Sequence, residues 1–144
     1  MATFHFEAAT PKAALEVFPF FADMTNAQTW DPSISSVVRL DEGDIAQGSS
    51  FRVTLRFLNR DLVLTYRVVA LEPGARVVLR AETGLFVSED TIKVSTLNGP
   101  LTTVVYEARL IGKGAAALLD PLFKLSINHF GKQAGAKLRS GFLQ

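Results

Sequence analysis

The chain has 144 residues, 48% of them hydrophobic and 20% charged, with a formal net charge of +1. That length suits a single domain with a substantial core. The charges are balanced and scattered, which excludes an electrostatic case for nucleic acid or an acidic membrane surface.

There is no cysteine, and the only histidines are His5 and His129. Disulfides, thiolate catalysis and Cys- or His-rich zinc sites are therefore excluded, and no cofactor or metal is expected. Cysteine-free composition fits the cytoplasm. Met1 to Phe6 lack the basic and apolar regions of a signal peptide. No apolar run approaches the roughly 20 residues of a membrane-spanning helix, so no integral membrane association is expected.

Thr3 to Ala8 alternates, with Phe4 and Phe6 on one side and His5 and Glu7 on the other, and reads as a strand. Thr10-Pro11 reads as a helix start, Thr as N-cap and Pro at the first helical position. Leu15, Phe18 and Ala22 share a helical face. Pro19 removes a hydrogen bond and clashes with the preceding turn, so a kink or stop is predicted near Phe18. Asn26 to Pro32 is a short second helix.

Six further strands follow. Ser36 to Asp41 is the first, and a loop bounded by Gly43 and Gly48 comes after it. In Ser50 to Leu58, Phe51, Val53, Leu55 and Phe57 face one way. Asn59-Arg60-Asp61 turns the chain into Leu62 to Leu71, and Glu72-Pro73-Gly74 is a strong turn signal. Arg76 to Thr83 sets Val77, Leu79 and Ala81 against Val78, Arg80 and Glu82. Asp90 to Leu97, the hairpin loop Asn98-Gly99-Pro100 and Thr103 to Leu110 complete the series. Short connections require antiparallel neighbours, and one apolar face implies a sheet covered on one side.

From Ala115 to about Phe142 the chain is helical. Leu119, Phe123, Phe130 and Ala134 form an apolar stripe opposite Lys124, Asn128, Lys132 and Arg139. Pro121 predicts a kink or delayed start. The only apolar surface large enough to receive the stripe is the sheet. Phe51, Val53, Leu55, Val77, Leu79, Val104 and Phe130 are predicted to meet between the two.

The stretches Val17-Phe18-Pro19-Phe20-Phe21-Ala22-Asp23, Asn26 to Ile34, Gln47-Gly48-Ser49-Ser50-Phe51 and Tyr66 to Pro73 carry a likeness to a known family. Through them the chain resembles the START-like helix-grip superfamily, SRPBCC group, in its polyketide cyclase/dehydrase and lipid-transport branch. The likeness covers nearly all of residues 1–144 as one ligand-binding domain. It implies an α+β helix-grip fold, with a seven-stranded curved antiparallel sheet around a long C-terminal helix and two short helices after the first strand. It also implies a cavity for lipids, polyketides or other hydrophobic molecules. Pro19 departs from the family pattern. None of the motifs is a catalytic signature, and the fold alone does not assign a function.

Several side chains can carry chemistry. Tyr66 and Tyr106 fall on inward strand faces. Each is either a pocket donor or a core residue with its hydroxyl bonded to backbone. Asp90 is in phase with Ile92 and Val94. Facing inward it would have a raised pKa and act as acid or base; otherwise it caps a corner at Val87-Ser88-Glu89. Glu82 reads as an outer-face ion pair. Trp30 either walls the ligand site or fills the core. His129 reaches the rim or lies on the surface. Ser126 contacts ligand or its own i−4 carbonyl. Phe51, Phe86 and Phe130 complete the predicted border.

No nucleophile elbow, phosphate loop or metal-binding spacing is present, and no pair of inward titratable groups is obvious. Gly131, Gly135 and Gly141 lower helix propensity by ~1 kcal/mol each relative to Ala. Close packing on the sheet, or local pliability, accounts for such positions. Three functions are compatible with these features: a binder of a small hydrophobic molecule, a cyclase/dehydratase-type enzyme using an inward Tyr or Asp, and an interaction protein with a packed cavity. A monomer or weak homodimer is expected.

Overall fold

The computed structural model describes residues 1–57, 59–96 and 99–144. The strand ends expected at Leu58 and Leu97, and the loop residue Asn98, lie outside these residues. The elements in chain order are β1 (Ala2–Thr10), α1 (Ala14–Ala22), a 3₁₀ helix (Met24–Thr29), β2 (Ile34–Arg39), β3 (Ser50–Phe57) and β4 (Arg60–Glu72). They continue with β5 (Arg76–Glu82), β6 (Phe86–Ser95), β7 (Thr102–Gly112), a second 3₁₀ segment (Gly114–Leu119) and α2 (Asp120–Ser140).

The strands form one seven-stranded sheet in the order β1-β7-β6-β5-β4-β3-β2, with every neighbouring pair antiparallel. The sheet curls around α2 in a helix-grip arrangement. Turn chemistry sets the connections. At Glu72-Pro73-Gly74-Ala75 the Ala75 N–H donates to the Glu72 carbonyl at 3.0 Å, and Gly74 takes φ +75°. This is a type II turn, with Pro and Gly where each is favoured.

Four local expectations are corrected. First, no helix starts at Thr10-Pro11. Thr10 is fully buried and pairs with Thr102, and its Oγ1 accepts the Lys12 N–H at 3.2 Å. The hydroxyl closes a turn that ends β1, and α1 begins three residues after Pro11. Second, α1 runs through Pro19 to Ala22 without stopping at Phe18. Pro19 is on the exposed side. Leu15, whose carbonyl loses its partner, is 88% exposed, so water can satisfy that carbonyl.

Third, the second helix is a 3₁₀ segment. Asp23 Oδ1 caps it, accepting the Thr25 N–H at 3.0 Å, and it ends before Asp31, a residue that the following proline steers away from helical geometry. Fourth, β6 begins at Phe86, so Val87, Ser88 and Glu89 are strand residues that form no corner for Asp90 to cap.

Phe51, Val53, Val77, Leu79 and Val104 are each at most 2% exposed and share one core. Leu55 and Phe130 are only half-buried, because they face a cavity. On α2, Phe123, Ala134 and Leu138 are buried while Lys124, Asn128, Lys132 and Arg139 are exposed. Leu119 does not join the apolar stripe. It is 41% exposed, because it lies in the preceding 3₁₀ segment, where the 100° repeat of α2 does not extend.

The delayed helix start expected from Pro121 is present, with Pro121 in the first turn of α2. Gly131 and Gly135 lie where the helix meets β1. A Cβ added at Gly131 would sit 2.5 Å from the Phe4 ring, and one at Gly135 2.8 Å from the Phe6 ring. Close packing explains these two glycines. Among the described residues no helix is long and apolar enough to cross a membrane.

Candidate functional site

The inward faces of β1, β3, β4, β6 and β7, with α2 and the segment after the first 3₁₀ helix, line a half-open cavity of about 150 Å³. Its walls are mostly rings and aliphatic chains. Phe4 and Phe6 come from β1, Leu55 and Phe57 from β3, Leu62 from β4, and Phe123, Ile127 and Phe130 from α2. Phe123 packs against Phe57 and Phe86, with centroids at 5.4 and 6.2 Å. Trp30 stands edge-on to Tyr106 at 5.5 Å and 85°.

Against this apolar lining the structure sets a small polar wall. Tyr106 of β7 donates its hydroxyl to Asp90 Oδ2 on β6 at 2.8 Å. Tyr66 of β4 shares a hydrogen bond with Ser88 Oγ at 2.7 Å, across the width of β5. The β5 residue between them is Ala81, which pairs with Ser88 and is 2% exposed. Its small side chain leaves room for the tyrosine to reach over. Asp31 joins the wall from the loop after the 3₁₀ helix. Its Oδ1 accepts the Ser33 N–H at 2.9 Å and the Ser33 hydroxyl at 2.6 Å, a local turn that an Asp favours.

Burial dominates the electrostatics. It pushes Asp90 up to about 7; the hydrogen bond from Tyr106 opposes the rise, while Asp31 and Glu89 add to it. Burial also raises Asp31, against its two bonds from Ser33. Tyr66 and Tyr106 are pushed above the ordinary tyrosine range by burial and then by Asp90, so both stay protonated. A carboxyl that titrates near neutrality can hold or release a proton, and neutral hydroxyls can orient a polar group.

Of the residues singled out in the sequence, Trp30, Tyr66, Phe86, Asp90, Tyr106, Ser126 and Phe130 come together around the cavity. Phe51 does not line it. It sits at the opposite end of β3 from Leu55 and Phe57, paired with Tyr66 and fully enclosed in the core. His129 is exposed on the flank of α2, with Nε2 3.3 Å from Gln133 Nε2 and its ring against Phe130. Glu82 lies outside as well, bonded to Lys113 Nζ at 2.7 Å; that bond lowers its pKa.

Asp31, Ser33 and Ser88 are site residues that sequence reasoning missed. Asp31 and Asp90 also line the cavity together, an inward pair of titratable groups that was not obvious in the sequence. The available signal for Ser88 was its two-residue spacing from Asp90. Among the described residues no three His, Asp or Glu side chains converge to hold a metal ion.

Residues 1–135 match the family described as polyketide cyclase / dehydrase and lipid transport. No curated protein matches the chain. Among solved structures, it is similar to the Zhui aromatase/cyclase from Streptomyces sp. R1128. The TM-score is 0.75 at 14% identity, over 94% of this chain and 90% of that one. It is also similar to a START superfamily protein from Mycobacterium smegmatis, at TM-score 0.71 and 12% identity over 97% and 99%. The protein TTHA0849 from Thermus thermophilus gives 0.70 and 13% over 96% and 97%. At these identities the structural likeness concerns the fold alone. The chain belongs to the polyketide cyclase / dehydrase and lipid-transport family, on the START-like helix-grip fold.

Proposed function

We propose that the chain binds one small hydrophobic molecule, of lipid, polyketide or similar chemistry, with a single polar end. The observation that carries this reading is the cavity of about 150 Å³, apolar over most of its lining and polar at Asp90, Tyr106, Tyr66 and Ser88. A cavity of roughly that size can accommodate a benzene-sized molecule, and a few polar groups on apolar walls are what fix a ligand's orientation. The packed-cavity alternative has no support from side chains that leave this volume between them.

The test is native mass spectrometry of freshly purified protein for a bound adduct, together with thermal denaturation in the presence of a small aromatic probe such as toluene. Saturating toluene should raise Tm with concentration, by ~2.7 kcal/mol of stability at a hundredfold excess over Kd. Ala108→Phe, which places a ring in the cavity, should abolish the response. No adduct and no shift for any small apolar probe would overturn the reading.

A second reading, a cyclase/dehydratase-type enzyme, is favoured by one observation: Asp90 titrates at about 7 beside a hydrogen-bonded Tyr106. A group with that pKa can serve as acid or base at neutral pH.

A further inference from the structure

The polar wall offers a ligand two carboxylate oxygens that no described residue bonds. Ser33 occupies one oxygen of Asp31, and Tyr106 occupies Oδ2 of Asp90. Among the described residues none donates a hydrogen bond to the other oxygen of either carboxylate. The Tyr106 hydroxyl is spent on Asp90, and the Tyr66–Ser88 pair, which shares one bond, keeps one hydroxyl proton for a ligand.

The cavity's own basic side chains are paired with other carboxylates. Arg56 and Arg109 line the cavity, but they pair with Asp61 at 3.7 Å and Glu89 at 3.9 Å. Among the described residues no basic side chain forms an ion pair with Asp31 or Asp90. The same cavity is lined by the rings of Trp30, Tyr66, Tyr106, Phe6 and Phe130. Aromatic faces attract cations, most strongly where water is excluded, and two carboxylates supply the counter-charge.

We infer that the cavity selects a small hydrophobic ligand bearing a protonated amine, its ammonium held between Asp31 and Asp90 and its apolar body against Trp30, Phe6 and Phe130. This rests on the ligand-binding reading above and narrows it to cationic ligands. The inference explains why two acidic side chains lie together in an apolar cavity, where charge is costly unless paired.

Binding is then linked to protons. The charged groups that act on Asp90 are Asp31 and Glu89, both acidic, while Tyr66 and Tyr106 face it as neutral hydroxyls. Lys137 of α2 acts on Asp31 from a distance. An arriving ammonium favours the ionised form of both carboxyls, so the complex releases a proton, and affinity weakens as the pH falls below about 7.

The experiment is isothermal titration of the full chain with three probes of similar size: phenethylamine, phenethyl alcohol and toluene. It is run at about pH 8, where an alkylamine is still protonated. Phenethylamine is expected to bind about tenfold or more tighter than the alcohol. Near neutral pH its binding heat should vary with the ionisation enthalpy of the buffer, the signature of proton release. In Asp31→Asn and Asp90→Asn the preference for the amine should shrink to about threefold or less.

Equal or weaker binding of the amine overturns the inference and leaves the hydrophobic-ligand reading intact. Folded carboxylate variants that keep the full preference overturn it too. Silence of all three probes overturns both readings. If the variants do not fold, the comparison on the native chain decides.

Discussion

Asp90 and Tyr106 are diagonal neighbours on adjacent strands. Asp90 pairs with Ala108 and Tyr106 with Ile92, and the tyrosine hydroxyl crosses that offset to donate to the carboxylate at 2.8 Å. The pair is embedded in apolar surroundings, so the ionised carboxylate is stabilised by one hydrogen bond and destabilised by burial.

Stability therefore depends on pH through this carboxyl, with a contribution of the same sign from Asp31, which burial also raises. Asp90 titrates at about 7 in the folded chain against 3.8 as an isolated group. Between those values the folded state binds more protons than the unfolded state. Stability falls as the pH rises from about 4 to about 7 and levels off above that. Asp90→Asn can still accept from Tyr106 but carries no charge. Its denaturation midpoint should fall less steeply than the parent's over that window, with a gain over the parent on the order of a few kcal/mol at pH 8. Urea denaturation at four or five pH values measures this. Parallel slopes for parent and variant would show that Asp90 is not the group responsible.

Gly131 and Gly135 offer a test of the helix–sheet contact. In an exposed helix, Gly→Ala gains ~1 kcal/mol. Here the new methyl would lie 2.5 Å or 2.8 Å from the rings of Phe4 and Phe6. Overpacking of that kind typically costs about 1–3 kcal/mol. Gly131→Ala should therefore lower Tm despite its better propensity, and Phe4→Leu in the same chain should recover part of the loss. A Gly131→Ala variant more stable than the parent would mean that Phe4 moves aside freely.

The fold was readable wherever one strand face is uniformly apolar, as in Phe51, Val53 and Leu55 or Val77, Leu79 and Ala81. It became unreadable where the site lies. In β6 the inward residues Phe86, Ser88, Asp90, Ile92 and Val94 mix polar with apolar side chains, so Val87-Ser88-Glu89 looks like a corner capped by Asp90. The binary pattern fails at this point because the cavity needs polar groups inside. Asp31 was hidden differently. Asp-Pro-Ser is a turn signature, and the Asx turn does form, but nothing local reveals that the turn packs against Asp90 and Tyr106 from more than fifty residues away. Phe51 and His129 were placed by strand and helix phase alone. Phase gives the face of an element but not the distance along it at which the cavity ends.

The Tyr66–Ser88 bond should behave as a coupled pair. Ser88→Ala leaves a buried tyrosine hydroxyl without its partner, at about 1–3 kcal/mol. Tyr66→Phe removes the hydroxyl itself. The double variant should cost less than the sum of the two single changes, with a coupling of ~0.5–1.5 kcal/mol. Additive losses in thermal or urea denaturation would show that the 2.7 Å contact contributes nothing to stability.

Tyr106→Phe separates a binding protein from a catalyst. The substitution keeps the ring that packs edge-on to Trp30 and deletes only the hydroxyl on Asp90. Losing that donor should raise the Asp90 pKa above about 7, since the bond is what opposes burial and holds the value down. Carboxyl-carbon NMR titration reads this directly. If the protein only binds, the change should weaken affinity for a hydrophobic ligand about tenfold or less, the cost of one hydrogen bond at ~0.5–1.5 kcal/mol. If the Tyr106–Asp90 pair moves a proton during a cyclisation or dehydration, turnover of a polyketone substrate should instead fall by ~10²–10⁴ with affinity preserved. The modest affinity loss is the expected outcome, because the hydroxyl is already committed to Asp90 and its influence on a ligand passes through the carboxylate. A large loss of turnover at constant affinity would establish the enzyme reading. An unchanged Asp90 titration would show that the two side chains do not share this bond in solution.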